Sequence, residues 1–138
     1  MKRALFAVLS FLFLALCACS SQKNGSILLD SDEAVSAAEI SSLPDGYSFS
    51  FSGDDAGRIR DYLSGLHLKA SFKERPETYG GMTWVIRLTY ESGKTQTIYH
   101  FGNMFIRNEQ GRWYKMEYGE AAAFENLIGV EFRNTERS

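Results

Sequence analysis

Met82-Thr83-Trp84-Val85-Ile86-Arg87-Leu88-Thr89-Tyr90 decides the class of this fold. Side chains of an extended chain point alternately to opposite faces, so Met82, Trp84, Ile86, Leu88 and Tyr90 share one side and Thr83, Val85, Arg87 and Thr89 the other. This is a strand with one apolar and one mixed face. Ser92-Gly93 then turns the chain into a second run rich in Thr, Tyr and Ile, Lys94 to Phe101. Gly102-Asn103 leads on to Met104 to Arg107, and Asn108-Glu109-Gln110-Gly111 leads to Arg112 to Tyr118. Loops this short join antiparallel neighbours, so the region reads as a four-stranded meander.

Upstream, Lys73 to Gly81 contains Pro76 and Gly80-Gly81 and reads as the longest loop of the domain. Before it, Leu66, Leu68, Ala70 and Phe72 alternate with His67, Lys69, Ser71 and Lys73, which predicts a strand with a charged outer face. Ile59, Tyr62, Leu63 and Leu66 recur at helical spacing behind Ser52-Gly53-Asp54-Asp55, a stretch offering an N-cap hydroxyl and two carboxylates for the positive end of a helix. The spacing predicts a helix over 54–64, with Gly65 as a left-handed stop. Behind the Pro44-Asp45-Gly46 turn, Tyr47, Phe49 and Phe51 alternate with Ser48, Ser50 and Ser52 as a further strand. Residues 30–43 admit two readings. Asp30 and Glu33 have capping-box spacing ahead of Val35, Ala38 and Ile40, as in a short helix, whereas Ala38 to Leu43 equally suits an edge strand. At the other extreme, Glu120 to Ile128 sets Ala123, Phe124, Leu127 and Ile128 on one stripe, ended by Gly129 before the polar tail Arg133 to Ser138.

These elements predict an α+β fold: a single antiparallel β-sheet of five or six strands, with two amphipathic helices packed on one face and the other left wet. The element order resembles the cystatin-type arrangement of small secreted binding domains, without the Gln-x-Val-x-Gly motif of that family.

The N-terminus carries an address. Met1-Lys2-Arg3 precedes an apolar and small-residue stretch from Ala4 to Leu16, the charged and apolar regions of a secretory signal. Crossing roughly 30 Å of hydrocarbon takes about 20 apolar residues, so this stretch is too short for a transmembrane anchor. Leu16-Cys17-Ala18-Cys19 resembles the lipobox of bacterial lipoproteins, with Leu three before the acceptor and small Ala directly before it. Cys17 as acceptor would place bulky Leu16 where the peptidase accepts a small side chain, so Cys19 is the better choice. The resemblance implies cleavage after Ala18, a diacylglyceryl thioether on Cys19 and acylation of its amino group; two or more chains anchor stably where one does not. A plain secretory signal with two small apolar cysteines, or a disulfide between them, is the competing reading. The remaining chain contains no further cysteine and so depends on no disulfide. On this reading residues 1–18 are signal peptide, 19–29 the lipid anchor and a flexible tether, and 30–138 a single domain. The domain also shares a general likeness with small lipoproteins of Gram-positive bacteria that have no assigned activity.

Composition narrows the functions. The chain has 15 Lys and Arg against 17 Asp and Glu. Without residues 1–18, 13 bases face the same 17 acids, for a net charge of -4. With no clustered basic run, nucleic acid is disfavoured as a partner, and so is overall adsorption to anionic lipid. His67 and His100 lack the spacing of a catalytic or metal site, and each reads as a surface or sheet-packing histidine. Asp30-Ser31-Asp32-Glu33 and Asp54-Asp55 read as helix caps and not as metal ligands, and no cofactor motif occurs. The surplus is aromatic: Trp113 shares a strand face with Lys115 and Glu117, opposite Arg112, Tyr114 and Met116. Candidate binding residues are Trp113 and Tyr99 on the sheet and Arg75 and Tyr79 on the long loop. The expected function is a non-enzymatic binding or accessory domain at the outer face of the cell membrane, or of the outer membrane in a cell that has one. It would meet a protein or glycan partner. The alternatives are a small envelope hydrolase using carboxylates such as Asp54, Asp55 or Glu77, and an enzyme-inhibitor module.

Overall fold

The computed structural model of the chain describes residues 23–44, 46–71, 82–102 and 104–135. Within them a 3-10 turn, Gly25–Leu28, precedes strands β1 (Val35–Leu43) and β2 (Ser48–Ser52) and helix α1 (Gly53–Ser64). Strands β3 (Lys69–Ala70), β4 (Thr83–Tyr90), β5 (Thr95–Phe101), β6 (Phe105–Arg107) and β7 (Trp113–Lys115) follow, then helix α2 (Tyr118–Thr135). The strands form one sheet in the order β2-β1-β4-β5-β6-β7-β3, with every pairing antiparallel. The fold is α+β as alternation predicts. It has seven strands among the described residues where five or six were expected.

Two elements depart from the expectation. Residues 35–43 form a strand paired on both sides, with a register shift between Val35 and Ala37 against β4. That irregularity inserts one residue, so Val35, Ala38, Ile40 and Ser42 all turn inward, at a spacing that mimics a helix in the sequence. The second is Lys69–Ala70, a two-residue strand on β7 where a longer run from Leu66 was expected. Its neighbour Leu68 is bonded elsewhere: Asn24 Nδ2 donates to the Leu68 carbonyl (2.9 Å) and the Leu68 N–H donates to Asn24 Oδ1 (2.7 Å). One side-chain amide here replaces a strand partner.

Asn24 begins a segment that belongs to the domain and not to the tether in which residues up to 29 were placed. The N–H groups of Asn24 and Gly25 both donate to the Leu66 carbonyl, and Leu28 is fully buried. Gly25 lies so close to α1 that a Cβ would stand 2.0 Å from the Leu63 carbonyl oxygen. Gln96 secures the far side of the segment, its Nε2 donating to the Leu28 carbonyl and its Oε1 accepting from the Asp30 N–H and the Tyr90 hydroxyl. Three polar groups are thus satisfied by one buried amide.

Both helices lie on the face bearing Trp84, Ile86, Leu88 and Tyr90, which bury together with Ile98, Ile106, Ile59, Leu63 and Ile128. Phe124 of α2 packs between layers, edge-on to Trp84 (6.3 Å), tilted against Tyr62 (5.4 Å) and stacked on His100 (4.4 Å). Each such side chain removed from water contributes about 1.5–3 kcal/mol. Local details differ from expectation at the helix ends. Ser52 occupies the N-cap of α1 without a side-chain cap bond, leaving Asp54 and Asp55 to act on the helix dipole. Gly65 adopts a right-handed conformation (φ -83°), and α2 continues past Gly129 to Thr135, since a glycine weakens a helix interior by about 1 kcal/mol without breaking it.

The strands run between two unlike ends. At one, Leu43, Thr83, Phe101, Phe105, Lys115 and Lys69 are successive cross-strand partners. The opposite end is acidic. There the Glu33 carboxylate accepts the Ser92 N–H (3.2 Å), Asp30 accepts from Gln110 (3.1 Å) and lies 3.9 Å from Lys94, and Asp54 and Asp55 open α1 where β2 closes.

Candidate functional site

On the face away from the helices, strand register builds a second row. Val85 pairs with Tyr99, Tyr99 with Arg107, and Arg107 with Trp113. Cross-strand neighbours have Cβ atoms about 5 Å apart, so these side chains must touch. The Arg107 guanidinium carbon sits 4.3 Å from the Tyr99 ring centroid, 5.3 Å from that of Trp113 and 5.9 Å from that of Phe101. Phe101 and Trp113 pack 4.5 Å apart, and Tyr99 lies 6.4 Å from Phe101. The negative ring faces hold the cation, each such contact being worth about 0.5–1 kcal/mol where water reaches it.

The Arg107 side chain makes no hydrogen bond or ion pair among the described residues, and its Nε is buried without a partner there. Within the described strands, the carboxylate on this face is Glu39 of β1, which faces Arg87 and not Arg107. An arginine held rigid by three rings, with its fork unpaired, has the geometry to meet a carboxylate or other planar anion.

The sequence-derived candidates divide accordingly. Trp113 and Tyr99 are brought together on the uncovered face, both half-buried. Arg75, Tyr79 and the hydrolase candidate Glu77 lie outside the described residues, as does Cys19. Asp54 and Asp55 are exposed on the first turn of α1, where Asp55 pairs with Arg58 at 3.5 Å. Alternation singled out Trp113 but not Arg107 or Phe101. Their significance rests on register across β5, β6 and β7, which no single strand encodes.

Two histidine sites lie elsewhere. His100 is buried under Phe124, with its Nε2 3.5 Å from the Tyr62 hydroxyl and its Nδ1 without a hydrogen-bond partner among the described residues. Burial pushes its pKa down to about 4, so it stays neutral, and burial raises the Tyr62 phenol above its usual range. His67 is half-buried, not on an outer strand face as expected. Its Nδ1 stands 2.5 Å from Glu120 Oε1, and both Glu120 oxygens accept its backbone N–H. Glu120 thereby ties the start of α2 to the chain before β3. A cavity of about 250 Å³ between the helices is lined by Phe51, Ile59 and Leu127 with Asp55 and Arg58. Among the described residues no cluster of His, Asp and Glu is placed to hold a metal ion, and no helix is long and apolar enough to cross a membrane.

No family model, no curated protein and no solved structure matches this chain. Its function must be argued from its own residues.

Proposed function

We propose that this chain is an extracytoplasmic lipoprotein, anchored through Cys19 at the outer face of a membrane, whose domain is a non-enzymatic binding or accessory module. The observation that carries the binding reading is the sheet face away from both helices, where Tyr99, Phe101 and Trp113 hold an arginine whose side chain has no hydrogen bond or ion pair among the described residues. Core packing does not require such a cluster, since both helices lie on the other side. Trp, Tyr and Arg dominate binding hot spots because they offer large contact area with a polar handle. The anchor rests on the sequence: Leu16-Cys17-Ala18-Cys19 behind a charged and then apolar start.

Two experiments test the two halves. Photo-crosslinking on intact cells should recover a protein or glycan partner with the parent chain and lose it with Trp113→Ala or Tyr99→Ala. If both variants retain every crosslink, the open face is not the binding surface. Cys19→Ala should release the chain from the membrane fraction and abolish incorporation of radiolabelled lipid, whereas persistence of both would move the acceptor to Cys17.

A further inference from the structure

We infer that two copies of this chain join edge to edge through β2, antiparallel about Ser50, so that their two sheets become one. The pairing goes beyond the binding reading and does not require it.

The sheet has two edges, and they are unlike. β3 is two residues long and bears Lys69, the short and charged form in which an edge resists pairing. β2 runs for five residues, Ser48–Ser52, with no lysine, proline or bulge. The direction of its backbone groups follows from the turn that leads into it. The Ser42 N–H donates to the Tyr47 carbonyl (2.8 Å), which makes Ser42 and Tyr47 a hydrogen-bonded pair. Such pairs alternate with non-bonded ones, so Phe49 opposite Ile40 and Phe51 opposite Ala38 also aim their backbone groups at β1. Ser48, Ser50 and Ser52 therefore present theirs outward. All three are exposed, and no described residue pairs with this outer edge.

The occupant that fits is the same strand. A two-fold axis through Ser50, perpendicular to the sheet, sets each Ser50 N–H against the other copy's Ser50 carbonyl. The same axis sets each Ser52 N–H against the other copy's Ser48 carbonyl. β2 carries no charge, so no like charges oppose each other across the joint. Asp54 and Asp55, which follow at the head of α1, fall at opposite ends of it. On the helix side, Phe49 comes to face Phe51 of the second copy. Phe49 is half-buried and packs 6.4 Å from Trp84, and the joint gives it a further aromatic neighbour across the strands. One strand pair is small beside a standard interface, and the proposed anchor supplies effective concentration by confining both copies to one membrane. Because the axis is perpendicular to the sheet, both Tyr99–Arg107–Trp113 rows face the same way, and a repetitive partner would be held at two points.

The test uses the full chain in its own membranes. Paired Ser50 positions have Cα atoms about 5.5 Å apart, inside the disulfide range of about 4.4–6.8 Å. Under mild oxidation, and above the background of the parent chain, Ser50→Cys should give about tenfold more disulfide-linked dimer than Glu91→Cys, an exposed turn position. The crosslink is read in whichever fraction holds the chain, so failure of the anchor is seen separately from failure of the pairing. Copies labelled with donor and acceptor dyes at Glu91→Cys, in phosphatidylcholine vesicles, should show energy transfer. Adding Ser50→Lys or Ser50→Glu puts like charges directly opposite and should reduce transfer to that of random encounter, with circular dichroism unchanged. Mixing the lysine and glutamate variants should restore it. Equal crosslinking at positions 50 and 91, or energy transfer that survives both charged variants, overturns the pairing. A disulfide from the Ser50→Cys site to a different protein, identified by mass spectrometry, means that the edge takes a foreign strand and overturns it as well. Partner crosslinks lost with Trp113→Ala report the binding face alone, so the two readings can fail independently.

Discussion

Strand β5 carries both faces of this molecule within seven residues. Gln96, Ile98 and His100 point beneath the helices and are buried, while Thr97, Tyr99 and Phe101 point the other way and stay half-buried. The contrast is clearest between His100 and Arg107, cross-strand neighbours of Ile106 and Tyr99 that both rest on aromatic rings. Under α2, where water is excluded, the imidazole is held neutral. On the other face the guanidinium keeps its charge against the rings of Tyr99, Phe101 and Trp113, with its Nε buried. Packing on aromatics therefore surrounds a neutral ring on one side of the sheet and, on the other, a cation with no ion pair among the described residues, the feature on which the proposed recognition rests.

If the covered face carries stability, Phe124→Ala should have the largest effect. It removes contacts with Trp84, Tyr62 and His100 at once, and about 3–5 kcal/mol should be lost in urea denaturation. The buried histidine gives the next effect. Its folded pKa of about 4 lies below the ordinary value of 6.5, so the unfolded chain binds the proton more readily between those values. Stability should be full above pH 6.5, fall by roughly 3 kcal/mol as pH drops toward 4, and level off below it. Denaturation midpoints measured across this range should lose that slope in His100→Phe. Gln96→Leu should cost about 2 kcal/mol by leaving the Leu28 carbonyl and the Asp30 N–H unpaired, and amide exchange should show residues 25–30 loosening first. The smallest stability change belongs to the open face. Arg107→Met and Trp113→Ala should each shift thermal unfolding by no more than about 1 kcal/mol while abolishing partner crosslinks. A large loss of stability in these two would make the cluster a structural element and erase the distinction between the faces.

Legibility in the sequence followed the range of the interactions. Strands β2, β4 and β5 and helix α1 were readable because strand composition, alternation and helical spacing are properties of a few adjacent residues, and Trp113 could be assigned to a face for the same reason. β1 was obscured because one inserted residue breaks the count between Val35 and Ala38. The docked segment at Asn24 was hidden for a different reason. Its polar composition suits a tether, and nothing near it announces that Leu68 and Gln96, 44 residues from Asn24 and 68 from Leu28, receive it.

The sequence by itself determined that the sheet has two unlike faces, because successive side chains of an extended backbone must point in opposite directions. It also supplied the lipobox-like start from which the anchor is proposed. Only the tertiary structure decided that Tyr99, Phe101, Arg107 and Trp113 converge, and that Asn24 and Gly25 dock on Leu66 and Leu68. Register and docking are set by burial and hydrogen bonds between distant segments, which no local pattern contains.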